Sequence, residues 1–160
     1  MSINVGDQLP DVELRFMGEK GPEKQSTKEL FGGKRVALFA VPGAFTPTCS
    51  AKHVPSYLAK ADELAAKGVD AIYCVSVNDV FVMNAWGKDQ NSEGKILMLS
   101  DGNGEFSKAI GLAFDGSGFG MGERSQRYAM LVSDGVVEKL FVEAPGTYEV
   151  SSAEHMLANI

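Results

Sequence analysis

Cysteine is scarce in this chain of 160 residues. There are two, Cys49 and Cys74, beside only two histidines, His53 and His155. Two cysteines cannot build the disulfide framework of a small secreted fold, and so few soft ligands argue against a dedicated zinc site. Basic residues are a minority too: 15 Lys+Arg stand against 21 Asp+Glu, a net charge of −6, with no basic block. That balance argues against binding nucleic acid or an anionic membrane surface. Long apolar runs are missing. The strongest, Val36 to Val41, stops at Pro42-Gly43, far short of the roughly 20 residues of a membrane span.

Other absences narrow the chemistry. There is no internal repeat and no low-complexity linker. Gly116, Gly118, Gly120 and Gly122 alternate, and do not give the dinucleotide-binding spacing between a strand and a helix. Gly33-Lys34 runs into Arg35 without the upstream glycine of a phosphate-binding loop, and no G-x-S-x-G occurs. Met1 to Asp7 has neither a basic nor an apolar leader region. With two free thiols, this predicts a cytoplasmic protein in a reducing compartment. What is present is ordinary soluble composition, 44% hydrophobic and 22% charged. The length fits a single domain over residues 1–160.

Val12 to Phe16 alternates and predicts an edge strand or hairpin. Val36 to Val41 reads as a strand covered on both faces. A helix should follow, with Thr46 as cap, Pro47 at its first position, apolar residues at helical spacing, and Gly68 as stop. Pro55 should bend it. A second buried strand, Ala71 to Val77, completes a parallel strand–helix–strand unit. Asn78-Asp79 caps a further helix to about Asp89, and Ile96 to Leu99 is a third strand. The segments from Arg127 to Val132 and from Val136 to Val142 flank Asp134-Gly135, a hairpin signal, and Ser151-x-x-Glu154 opens a last helix. The expected fold is α/β, a mixed central sheet with helices on both faces.

Cys49 falls in the first turn of the predicted helix, just past the C-terminal end of a buried strand. Ligands of open α/β sheets bind at that edge, and unpaired N–H groups there favour an anion. A free thiol, with a pKa of about 8.5, is only a few per cent thiolate at neutral pH. Lowering it two units takes about 2.7 kcal/mol, whereas a helix terminus gives roughly 0.3–1 and at most about 2. A cationic partner is therefore expected.

Pro42 to Cys49 carries the P-x-x-x-T-x-x-C pattern of the peroxiredoxins. The run from Val41 to Ser50, with His53-Val54-Pro55, resembles the peroxiredoxin-5 group, which includes the plant type II enzymes. Val75 to Asp79, Phe81 to Met83, Trp86-Gly87, Arg124 to Tyr128 and Val150 to Glu154 look like that group as well. The resemblance implies a thioredoxin-like fold and a thiol peroxidase acting on hydrogen peroxide and organic hydroperoxides without metal or organic cofactor. By position it makes Cys49 the peroxidatic cysteine, Thr46 a hydroxyl donor to bound peroxide, Arg127 the required cation, and Pro42 a shield against water. It also implies a homodimer, with the surface around Phe45 and Phe81 in contact, and a reductant among thioredoxin, glutaredoxin with glutathione, or another thiol.

Each residue has a plainer reading beside this one. Thr46 can be only a cap, and Arg127 only a strand-end residue with Arg124 as competing cation. His53, one turn after Cys49, reads as a supporting or surface histidine rather than a base. Phe39, Tyr57, Phe81 and Trp86 read mostly as core. Cys74 is a candidate resolving cysteine, but it is followed by Val75-Ser76-Val77 before its strand ends. At about 3.3 Å per residue it should lie on the order of 10–13 Å below the edge, against the about 4.4–6.8 Å between Cα atoms that a disulfide tolerates. A core cysteine is the preferred reading. A redox-sensing module that hands oxidation to a partner is the rival to turnover. A thioredoxin-type disulfide oxidoreductase is set aside, because Thr46 and Lys52 occupy the positions where C-x-x-C would place its second cysteine.

Overall fold

The structure, a computed structural model, describes residues 2–160. The alternating patch near the start becomes β1 (Glu13–Gly18), which turns back into β2 (Gly21–Ser26). β2 is polar and lies at the sheet edge with β1 as its neighbour, so no apolar pattern announced it. Ser26 and Glu29 form a capping box that opens α1 (Thr27–Phe31). β3 (Arg35–Ala40) is the continuous apolar run.

The single helix expected from Thr46 to Gly68 is in fact broken. A π-helical turn at Cys49–His53 leads into α2 (Val54–Ala59) and then α3 (Ala61–Ala66). Pro55 accounts for the first break. It sits in the first turn of α2 with no N–H to give, and just before it the ladder widens so that the Val54 N–H reaches back to the Cys49 carbonyl. The second break is at Lys60, whose φ of −106° and ψ of 9° leave the helical region.

β4 (Ala71–Ser76), α4 (Val80–Asp89) and β5 (Leu97–Ser100) follow as expected. α5 (Glu105–Ala109) was not foreseen; it is too short to show a period and is held by Asp101, whose carboxylate accepts from the Phe106 and Ser107 N–H groups. The glycine-rich stretch contains a small ribbon, β6 (Ala113–Asp115) and β7 (Glu123–Ser125). β8 (Tyr128–Ser133) and β9 (Val136–Val142) are joined through Asp134 and Gly135, at φ +48° and +80°, as the tight hairpin requires. α6 (Ala153–Ala158) is capped by Ser152 rather than Ser151, because the Ser151 hydroxyl is turned to Glu143.

The seven-stranded sheet runs β2-β1-β5-β4-β3-β8-β9, with β3, β4 and β5 parallel and the others antiparallel to their neighbours. Alternation along its central strands divides the core in two. Val36, Leu38 and Ala40 pack with α1 and α5 on one face. Ala37, Phe39 and Val41 pack with α2, α3, α4 and α6 on the other. Helices thus cover both faces of a thioredoxin-like sheet. β8 runs against β3 with Tyr128 opposite Ala40, and β9 places Val142 opposite Tyr128. The end of β3, the start of β8 and the end of β9 therefore meet at one edge. That edge carries the site.

Candidate active site

Cys49 leaves β3 through the loop Val41–Thr48 and is fully buried. Thr46 stands at the start of its helix in one sense: its carbonyl accepts the Ser50 N–H at 3.0 Å. Its hydroxyl, however, caps nothing. Thr46 Oγ1 lies 2.8 Å from Cys49 Sγ and 2.7 Å from the Gly43 carbonyl. One hydroxyl proton cannot serve both acceptors, so negative charge on sulfur draws it toward Cys49, and its loss releases it to Gly43. Arg127, just before β8, supplies the charge: its Nη2 donates to Cys49 Sγ at 3.1 Å. Arg124, the competing cation, spends its donors on backbone carbonyls instead, with Nε on that of Met121 and Nη1 on that of Val77.

The guanidinium is held from behind by His53. Arg127 Nη1 lies 2.8 Å from His53 Nδ1, and His53 Nε2 lies 3.0 Å from the Ser151 carbonyl. A guanidinium only donates and a carbonyl only accepts, so the ring carries its proton on Nε2 and accepts at Nδ1. Burial, then the Arg127 charge, lowers His53 from its ordinary 6.5 to about 3. It is a neutral relay of orientation, its ring tilted against Phe39 with centroids 4.7 Å apart, and not a base at neutral pH.

The loop before Cys49 is itself fixed. Phe45 adopts φ +66°, a left-handed conformation costly for a side chain with a Cβ. Next to it the Ala44 N–H donates to Asn78 Oδ1 at 2.9 Å, an oxygen that also accepts from Ser76 Oγ. Asn78 is thus no helix cap; Asp79 caps α4 through Val82, and Asn78 reaches across to the Cys49 loop. A Cβ at Gly43 would lie 3.1 Å from Thr46 Cγ2, close enough that the Thr46 side chain would have to shift by a few tenths of an ångström. Pro42 is half-buried in the same loop. Trp86, buried as expected, donates through Nε1 to Ser50 Oγ beside Cys49.

Cys74 lies apart, in mid-sheet, opposite Phe39 on β3 and Met98 on β5. It is unpaired and fully buried, and burial, with the nearby Cys49, pushes its thiol well up. The structure therefore gathers Cys49, Thr46 and Arg127, keeps Pro42 in the adjoining loop and leaves Cys74 in the core.

Three groups escaped the sequence reading. Asn78 was hidden by its resemblance to a cap. Tyr148 places its ring 6.0 Å from the Arg127 guanidinium carbon, and Glu143 gathers the loop after β9. Neither lies in a local pattern. Among the described residues, no group of three or more His, Cys, Asp or Glu is arranged to hold a metal ion. No helix of the described residues is long and apolar enough to cross a membrane.

The Redoxin family model matches residues 4–157. The chain is 52% identical over 160 residues to peroxiredoxin-2E, chloroplastic, of Arabidopsis thaliana, covering 98% of this chain and 68% of that protein. It is 47% identical over 156 residues to peroxiredoxin-2B of the same plant, covering 97% and 96%. The solved structure of reduced Prx3 in complex with H2O2 from Vibrio vulnificus is 56% identical, covers 98% of each chain and superposes with a TM-score of 0.94.

Proposed function

This chain belongs to the peroxiredoxins, thiol-dependent peroxidases of antioxidant defence, and from that premise we propose how its residues divide the work. Cys49 is the peroxidatic cysteine. Its thiolate attacks one oxygen of the hydroperoxide, the O–O bond breaks, and the leaving hydroxide or alkoxide takes up a proton as water or alcohol. Sulfur, oxidised by two electrons, becomes a sulfenic acid. The observation that carries this reading is the convergence of Arg127 Nη2 and Thr46 Oγ1 on Cys49 Sγ, at 3.1 and 2.8 Å. Both are donors aimed at a sulfur anion and at the oxygen that will carry developing charge. Pro42 walls the loop beside them against water.

An external thiol completes the cycle. One equivalent displaces water from the sulfenic acid to give a mixed disulfide, and a second releases Cys49 and a free disulfide. Glutaredoxin with glutathione, or thioredoxin, is the reductant class. Cys74 remains a core residue, a reading supported by its complete burial and raised thiol. The protein pairs as a homodimer through the face around Phe45 and Phe81, which are 52% and 64% exposed beside the site. Two unpaired thiols favour a reducing compartment such as the cytoplasm.

Peroxide consumption by the purified protein, with each reductant supplied in turn, tests the cycle. Turnover with at least one of them is expected. Mass spectrometry after peroxide without thiol should find sulfenic or over-oxidised Cys49. Rapid stoichiometric Cys49–Cys74 disulfide would reverse the assignment of Cys74, and a monomer in sedimentation at micromolar concentration would remove the dimer.

A further inference from the structure

Behind Arg127 stands a buried carboxylate that the reaction above does not use. Glu143 follows β9, and its backbone N–H donates to the Arg127 carbonyl at 3.0 Å, so the two residues face each other across adjacent strands. Its side chain is almost wholly covered. The N–H groups of Glu149, Val150 and Ser151 and the Ser151 hydroxyl all donate to it at 2.7–2.9 Å, and Thr147 Oγ1 lies 3.0 Å from Oε1. Burial alone would raise this carboxyl; the hydrogen bonds outweigh it and hold it at about 2. It is an anion under all working conditions.

What the folded loop presents is specific. Ser151 offers its carbonyl to His53 Nε2 at 3.0 Å and to Tyr57 Oη at 2.9 Å. Tyr148, in the same loop, sets its ring edge-on to His53, with centroids 5.3 Å apart, and near the Arg127 guanidinium. A path of direct contacts thus runs from the carboxylate through Ser151 and His53 to Arg127 and Cys49.

We propose that Glu143 is a positioning residue of the peroxidase reaction: by folding the Thr147–Ser151 loop around its carboxylate, it fixes His53 and thereby aims Arg127 at Cys49. The physical reason is that His53 must accept at Nδ1 to hold Arg127, and the Ser151 carbonyl, by accepting from Nε2–H, favours that tautomer and fixes the ring's orientation. Without the carboxylate the three N–H groups repel one another, the loop opens, and Ser151 leaves the ring. The inference rests on the peroxidase reading above.

A double-mutant cycle on the full chain tests it, reading the single-turnover rate constant with hydrogen peroxide. Glu143→Gln keeps the shape but turns an amide NH2 toward donors. It is expected to slow the reaction between about 10- and 100-fold, the cost of a misaimed donor. Added to Arg127→Ala, it should slow it by less than about twofold more, since no aimed guanidinium remains to be lost. Nitrogen NMR should show the His53 Nε2–H signal shifted or lost in Glu143→Gln.

Equal losses in both backgrounds, or an unchanged His53 signal, overturn the proposal. If Glu143→Gln does not fold, Glu143→Asp, with the charge kept on a shorter arm, is held to the same criteria. Failure of both to fold assigns the carboxylate to the fold alone and also overturns the proposal. A wild-type protein inert toward hydrogen peroxide brings down the peroxidase reading and this one with it. An active wild type with an unaffected Glu143→Gln brings down this one only.

Discussion

At the scale of single residues, charge at one sulfur dominates. Thr46 and Arg127 touch Cys49 directly, and nothing comparable surrounds Cys74, whose thiol is pushed up in an apolar layer. Cys49→Ser should therefore abolish peroxide consumption, while Cys74→Ser still forms sulfenic acid at Cys49, detectable by a dimedone-type trap. Substantial turnover by Cys49→Ser would refute the assignment. Arg127→Ala should lower the peroxide rate constant by about 10²–10³-fold, the usual cost of one transition-state donor. Stopped-flow measurement reads it, and a loss below about tenfold would move the cationic role elsewhere. His53 should leave no step in the pH–rate profile at neutral pH, because burial and Arg127 keep its pKa near 3.

At the scale of elements, neighbouring side chains before α4 do different work. Asp79 caps α4 through the Val82 N–H, and Asn78 holds the Ala44 N–H of the Cys49 loop. Asp79→Ala should cost about 1 kcal/mol of stability, as a lost cap does, and leave the peroxide rate constant within about twofold. Asn78→Ala strands the Ala44 N–H and the Ser76 hydroxyl, so it should cost about 1–3 kcal/mol and slow the reaction as well. Denaturant unfolding and stopped flow on the two variants check the contrast; equal effects on rate would show that the loop holds its form without Asn78. The sequence made both residues look like caps. Only the return of β4 beside β3 brings one of them to the other loop.

For the whole molecule, two buried groups tie stability to pH. The unfolded chain protonates His53 near its ordinary 6.5, whereas the folded protein does so only near 3. The unfolded state thus binds more protons in that interval, and stability falls as pH drops through it. Glu143 acts in the same direction lower down, between its ordinary 4.5 and about 2. The stability its hydrogen bonds give is present above the upper value and lost toward the lower. Asp101 acts in the opposite direction, since burial raises its carboxyl and protonation then favours the folded state. The urea midpoint should therefore decline steadily from about pH 7 to about pH 4. A flat profile over that range would mean that His53 is not held neutral.

What the linear chain determined by itself was local. Apolar alternation and continuity gave the main strands, Asp134-Gly135 gave the β8–β9 hairpin, and the motif from Pro42 to Cys49 pointed to the reactive sulfur. Those features depend on residues within a few positions of each other, where period and backbone preference act directly. Elements of three to five residues, such as α5 and the β6–β7 ribbon, are too short for a repeated period and left no such trace. Pro55 announced a bend, but the π-helical turn that seats Cys49 and His53 depends on how the chain must enter α2. The resemblance favoured Arg127 over Arg124, yet what separates them physically is the antiparallel register of β8 on β3. Asn78, Tyr148 and Ser151 act on residues from 21 to 98 positions away, and Glu143 acts through Ser151. Their roles were decided by tertiary structure alone, because a hydrogen bond is set by direction and distance in space, and separation along the chain specifies neither.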